Sequence, residues 1–475
     1  MRACRVLKAD DDAPDAANGP RITTEPRGAR ERRFESMNKS LDDKLALIHA
    51  DPHRSPVYML ADAKDADMAF GIAAPGAAPD SPADRPRMRS LAEYRDQIRQ
   101  IVQQGMVDVM LMSASTNDLL THQDRLFDFS PVTPAVRAND ASDVWLPRGG
   151  QYHLHPSRPF RTATIDHIQC GRADCHPDHR FRGANLGLYS VTFNNRLAED
   201  HRTLEAYAEF RLEAERKGFR HFLEVFAPND PNNLTPEQFP AFMNDCIARL
   251  LAGVSYASRP LFLKMPYHGP AALQELVSYD PHLVVGILGG SAGTTYDAFK
   301  LIAESKKYGA RIALFGRKIN AAENQLVFVE FLRLVAEGLV TPEEAVPAYH
   351  SALQTIGVKP NRSLADDLTL QTAVMSYSRS NCVALGSLLF PTEYTIDDIP
   401  DPLPIADPTS IRIGTLADAA ARRAMLPGGS GGNSAIVGGA PSQPAPAPNS
   451  KEEQSALVED SDDDGSTVLG SAGKR

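Results

Sequence analysis

The chain has 475 residues, long enough for one large barrel with tails or for two ordinary domains, so length leaves both open. With 42% hydrophobic and 23% charged residues most of it should bury a core, while the net charge of -10 argues against non-specific attraction to nucleic acid or to a membrane surface. Five cysteines do not suggest a disulfide framework, no apolar run reaches membrane-spanning length, and the N-terminus lacks the pattern of a leader, so a reducing, cytoplasmic setting is the default expectation.

Residues 1–36 are rich in charge, Pro, Gly and Ala without periodicity and read as a disordered arm, after which NKSLDDKLALI resembles a capped helix. From 37 to about 395, short β-rich runs alternate with helical patterns. The runs are PVYMLAD (56–62), VDVMLMS (107–113), VTPAVRA (132–138), LGLYSVTFN (186–194), FRHFLEVFA (219–227), RPLFLKMPY (259–267), HLVVGILGG (282–290) and RIALFGR (311–317). Such alternation is the signature of parallel βαβ units, and this number of them predicts an α/β fold, a closed (β/α)8 TIM barrel; an open doubly wound sheet is the competing arrangement. Helices after Asn320 and over 341–357 are expected to close the barrel and cover its bottom. Residues 396–425 form an extension, and from 426 onward GGSGGNS, PAPAP and EDSDDDG read as a flexible linker with an acidic, disordered tail.

Active sites of such barrels lie at the C-terminal ends of the strands, so Asp62, Glu224, Lys264, Gly289, Gly290 and Arg317 should converge on one mouth. Lys264 alternates with Leu263 and Met265 in LFLKMPY and is expected to point into the mouth with Phe262. Desolvation disfavours an ammonium and supplies the neutral amine that attacks a carbonyl, and the protonated imine that results withdraws electrons from the adjacent carbon. The pattern fits equally a structural lysine paired with a barrel carboxylate. Glu224 in FLEVF and Asp62 in MLADAKD are suited to shuttling protons or holding the lysine, and equally to compensating the charge of Lys264 or Arg137. Asp65 and Asp67 are expected on a solvated loop face.

The loop GILGGSAGTT after the seventh strand, together with FGRK after the eighth, offers backbone amides, a helix start near Thr295 and the Arg317 guanidinium, a combination suited to phosphate. Arg137 and Asn194 fit either substrate orientation or the ordinary roles of a buried ion pair and a loop cap. Tyr267 and His268 are candidate proton donors, with packing at the rim as the alternative for Tyr267. An insertion over 140–182 carries IDHIQCGRADCHPDHR. Its His167, Cys170, Cys175, His176 and His179 include enough ligands for zinc, but the spacing matches no common zinc module, and a lid or subunit-contact loop is the preferred expectation. His167 or Arg172 would reach substrate if that loop folded over the mouth.

FLKMPY followed by ILGGS and FGRKI resembles the distal half of the aldolase family that includes deoxyribose-phosphate, archaeal-type fructose-bisphosphate and tagatose-bisphosphate aldolases. The resemblance covers roughly residues 219–336. It implies a TIM barrel, an imine-forming role for Lys264, a phosphate site at Gly289, Gly290, Ser291, Gly316 and Arg317, and a first-strand aspartate at Asp62. Glu224 resembles the fifth-strand glutamate of the tagatose-bisphosphate type, while Phe226 stands where the archaeal type has a tyrosine. Ala292 and Gly293 depart from the lysine or threonine that often follows the family's glycines. The expected protein is therefore a cofactor-independent lyase acting on a small phosphorylated keto or aldehyde sugar, possible as a homo-oligomer and without nucleic-acid or membrane partners. A metal-dependent hydrolase and a catalytically silent metabolite-binding barrel are the alternatives.

Overall fold

All eight predicted runs become strands of one parallel sheet: β1 (Met59–Lys64), β2 (Val109–Met112), β3 (Thr133–Arg137), β4 (Leu186–Thr192), β5 (Arg220–Phe226), β6 (Leu263–Lys264), β7 (Gly286–Leu288) and β8 (Ile312–Phe315). The computed structural model describes residues 38–78, 87–290 and 293–375; the arm at 1–36, the extension at 396–425, the tail from 426 and Ser291 lie outside the described residues. β1 pairs with both β2 and β8, with Met59 opposite Ile312 and Asp62 opposite Phe315. The remaining gap, between β6 and β7, is closed by the Met265–Ile287 bridge, where Met265 N donates to Gly286 O at 3.0 Å. The sheet is thus a (β/α)8 barrel and not the open alternative.

The helices form where the local chemistry allows them to start and stop. In α2 (Leu91–Gln104), Ser90 and Glu93 make a reciprocal capping box, and Gly105 takes the left-handed conformation that ends the helix. The outer layer continues with α3 (Leu197–Arg216), α4 (Phe239–Ala252), α5 (Pro270–Tyr279), α6 (Thr295–Lys307), α7 (Gln325–Glu337) and α8 (Pro342–Thr355). Among the described residues, no helix is long and apolar enough to cross a membrane.

Alternate residues of each strand face two separate cores. Leu60, Met110, Leu223, Leu263 and Phe315 pack under the helices, whereas Met59, Ala61, Val109, Phe222, Phe262 and Leu314 fill the barrel interior. The interior is stoppered below by α1 (Ser40–Ala50), the helix ahead of the first strand, whose Leu41, Leu45 and Ile48 lie on one face and join that core. Burying each stabilises the fold by about 1.5–3 kcal/mol. This corrects the expectation for the C-terminal helices: α7 and α8 do not cover the bottom but pack beside α6, with Phe299 stacked on Phe328 at 5.6 Å. The bottom helix is tied down by Lys44, which meets Asp108 at 2.8 Å, and Arg333 reaches the same carboxylate at 2.7 Å. Burial raises the Asp108 carboxyl, but the two cations outweigh it and hold it at about 2.

The insertion is partly ordered by its own contacts. Asp140–Ala141 pairs antiparallel with Pro159–Phe160, and Trp145 stacks on Tyr152 with ring centroids 4.5 Å apart. Cys170 and Cys175 are joined as a disulfide, where the cysteine count had suggested no disulfide framework.

Candidate active site

The strand alternation that sends Phe222 and Phe262 into the barrel, where their rings stack at 4.5 Å, also sends in the next inward residues, Glu224 and Lys264. These two are register partners across β5 and β6, and Lys264 Nζ lies 2.5 Å from Glu224 Oε1, both side chains being almost entirely withdrawn from solvent. Glu224 Oε2 accepts from Arg137 Nη2 at 3.2 Å, Arg137 Nε donates to Asp65 Oδ2 at 2.6 Å, and Arg137 Nη1 donates to Ser190 Oγ at 3.1 Å. Asp65, Arg137, Glu224 and Lys264 therefore form a buried row of alternating charge. Burial pushes the Asp65 carboxyl up, but Arg137 and then Lys264 overcome it and hold it below the ordinary range. Burial likewise opposes the Arg137 guanidinium, and Asp65 and Glu224 outweigh that and keep it firmly protonated.

In front of this row lies a cavity of about 370 Å³, within the size range of small-molecule sites. Lys264, Glu224, Arg137 and Asp65 line it, as do Gly289, Gly290, Gly316 and Arg317. The glycines are there for close approach: a Cβ on Gly289 would run into the Phe315 ring, and one on Gly316 would come within 2.5 Å of the Ala63 carbonyl oxygen. Gly290 adopts φ +59, which favours glycine for a second reason. Arg317 is exposed at the rim, with its guanidinium carbon 6.0 Å from the centre of the Phe70 ring. Among the described residues it has no ion-pair partner.

Asp62 is not at the cavity. It lies out of phase with Ala61 and Ala63, turns toward the helical layer, and pairs with Lys64 at 3.4 Å. Lys64 also donates to Asn320 and, at 2.8 Å, to Gln325. Burial raises the Asp62 carboxyl to about 6, with Lys64 offsetting only part of the effect, and burial likewise lowers the Lys64 ammonium. The acid that β1 delivers to the mouth is Asp65, three residues on. Its expected solvated position is corrected: it is buried against Arg137. Asp67 is half-buried and accepts from Ser113 Oγ at 2.6 Å.

Two further contributors, Ser190 and Asp143, carry no signal in isolation. Asp143, in the insertion, accepts from Ser157 Oγ and from Thr192 Oγ1, each at 2.7 Å, which pins the insertion to the end of β4. Leu146 N donates to Ala69 O at 2.8 Å, joining it to the short helix Asp67–Phe70 on the opposite rim. The insertion thereby lends Asp143, Val144 and Leu146 to the cavity wall. Its His/Cys-rich part does not reach the cavity: His167 Nδ1 lies 2.7 Å from Thr164 Oγ1, and Arg172 is exposed. Among the described residues, no group of three or more His, Cys, Asp or Glu side chains comes together as a cation site. Asn194 caps its loop, its Oδ1 accepting from Asn229 N and Asp230 N. Tyr267 and His268 do not line the cavity; His268 Nε2 lies 3.2 Å from Met243 Sδ.

No family model and no curated protein matches the chain. Solved structures similar to it include an archaeal fructose 1,6-bisphosphate aldolase, at 15% identity over 63% of this chain and 99% of that one, with a TM-score of 0.44. Another is the fructose-bisphosphate aldolase from Slackia heliotrinireducens, at 12% identity over 66% and 91% of the two chains, with a TM-score of 0.47. A third is (S)-3-O-geranylgeranylglyceryl phosphate synthase from Thermoplasma acidophilum, at 11% identity over 63% and 98%, with a TM-score of 0.35. The barrel assignment rests on the strands themselves, and the chemistry of the cavity rests on its own side chains.

Proposed function

We propose that the chain is a Schiff-base lyase acting on a small phosphorylated keto or aldehyde compound. The observation that carries this reading is Lys264 Nζ, withdrawn from solvent at the base of an open cavity and in contact with a carboxylate able to take its proton. In this mechanism the proton passes to Glu224, and the neutral amine adds to the carbonyl carbon to give a carbinolamine. Glu224 returns that proton to the carbinolamine hydroxyl, which leaves as water, so that a protonated imine remains and Glu224 is again a carboxylate. The bond between the α- and β-carbons breaks, its electron pair moves to the α-carbon as an enamine, and the β-hydroxyl proton goes to Glu224. Protonation of the enamine and hydrolysis of the imine release the second product and restore Lys264.

Arg137 and Asp65 position Glu224 in this scheme, and Arg317 holds phosphate at a rim kept clear by Gly289, Gly290 and Gly316. Arg317 suits that task because its N–H edge can meet phosphate oxygens two at a time. The test is borohydride trapping on the full chain with dihydroxyacetone phosphate, read by peptide mass spectrometry. A reduced adduct is expected on Lys264 and absent in Lys264→Met; no adduct, or an adduct that survives the substitution, would falsify the proposal.

A further inference from the structure

The wall of the cavity divides its charges unevenly between two sides. On the β8 side stands Arg317, with Gly316 and Gly290 beside it. Half-way round the eight-stranded ring, at the end of β4, stands Asp143, held there by Thr192 and Ser157. Next to Asp143 the lining is Val144 from the insertion and Phe226 and Ala227 from the end of β5, whereas Leu146 is tied to Ala69, beside the Phe70 ring that Arg317 faces. The other two cations of the wall are already engaged: Arg137 between Asp65 and Glu224, Lys264 with Glu224. Three acids and three bases thus line the cavity, and among the described lining residues Arg317 is the base without an acidic partner.

From this asymmetry we infer that the site takes a substrate with one anionic end, and that Asp143 excludes compounds bearing a second phosphate at the other end. The inference rests on the reading of the cavity as a site for a phosphorylated carbonyl compound and narrows its substrate class. A phosphate carries about −1.5 to −2 charge at neutral pH and three acceptor oxygens. At Arg317 it meets a guanidinium fork. At the β4 end a second one meets apolar side chains and the Asp143 carboxylate, whose two oxygens already accept hydroxyl hydrogens, so both charge and hydrogen-bonding capacity oppose it. A methyl, methylene or neutral hydroxymethyl end meets no such opposition and fits the Val144 and Phe226 surface.

The experiment uses sugar alcohols, which have no carbonyl, so it reads the charge preference whether or not Lys264 forms an imine. Glucitol 6-phosphate and glucitol 1,6-bisphosphate are titrated into the full-length protein by calorimetry at physiological salt. The expected result is at least tenfold tighter binding of the monophosphate, loss of that binding in Arg317→Leu, and a preference reduced severalfold in Asp143→Asn. Equal or tighter binding of the bisphosphate overturns the inference, as does binding of neither compound or a preference that survives Asp143→Asn. Failure of borohydride trapping with a tenfold preference intact would instead remove the imine chemistry and leave the charge assignment standing.

Discussion

Replacing Glu224 by Gln separates a catalytic acid from a structural counter-ion. The substitution keeps the shape of the side chain and one acceptor oxygen, but it removes the charge that faces Lys264 at 2.5 Å and Arg137 at 3.2 Å. Arg137 keeps Asp65 at 2.6 Å and the Ser190 hydroxyl, so it is not stranded. Lys264 loses its direct partner but still lines the open cavity. The stability cost should therefore fall below the roughly 3–5 kcal/mol that follows when a buried charge is left without compensation. Loss of a positioned proton carrier lowers kcat by about 10²–10⁴-fold. The assay measures kcat per trappable active site, KM and the unfolding midpoint on the same preparation. A fall in kcat with KM little changed and the Lys264 adduct still forming is the expected pattern. If kcat per folded molecule stays within tenfold of the original while only stability falls, Glu224 is a counter-ion and the proton-transfer role is refuted.

Asp65→Asn weakens the hold on Arg137 and leaves that guanidinium to draw on Glu224 alone. Misaiming a reacting group by about 1 Å can cost on the order of a hundredfold, and such a loss in kcat is expected, with binding of glucitol 6-phosphate retained. Asp62→Asn should leave turnover unchanged, since that carboxyl faces the helices, and should alter stability with pH. Its folded-state value of about 6 lies above the unfolded 3.8, so the wild type loses stability as pH rises from about 4 to 6. Lys64, lowered by burial, is left to gain stability with rising pH. The variant should therefore improve relative to wild type between pH 4 and 7 in denaturant titrations, and a difference that stays flat or reverses would contradict this placement.

The barrel was legible because each strand has an apolar body and a polar C-terminal end, and that pattern survives without knowledge of any partner. Lys264 and Glu224 were legible for the same reason: each interrupts an apolar run in phase with an inward phenylalanine. The error over β1 has a physical source. MLADAKD offers carboxylates in both phases, and the inward one is identified only once the small residues Ala61 and Ala63 are known to face the interior. Asp65 then follows from alternation alone. The roles of Asp143 and Ser190 were not legible, because they depend on contacts across the sequence: Asp143 meets Thr192 49 positions away, and Ser190 meets Arg137 53 positions away. Nor did the helical period of Ser40–Ala50 reveal which end of the barrel it would seal.

That stopper has a consequence for how the protein is made. Its apolar face leaves the ribosome before any strand exists, yet its seat includes Val284, Ile312 and Leu314, from the last quarter of the ring. Until those residues are synthesised, Leu41, Leu45 and Ile48 have no complete place to dock, and the nascent chain carries an unsatisfied greasy stripe through most of its translation. A helix synthesised ahead of every strand is thus among the last elements to come to rest, and the ring and its plug are completed together.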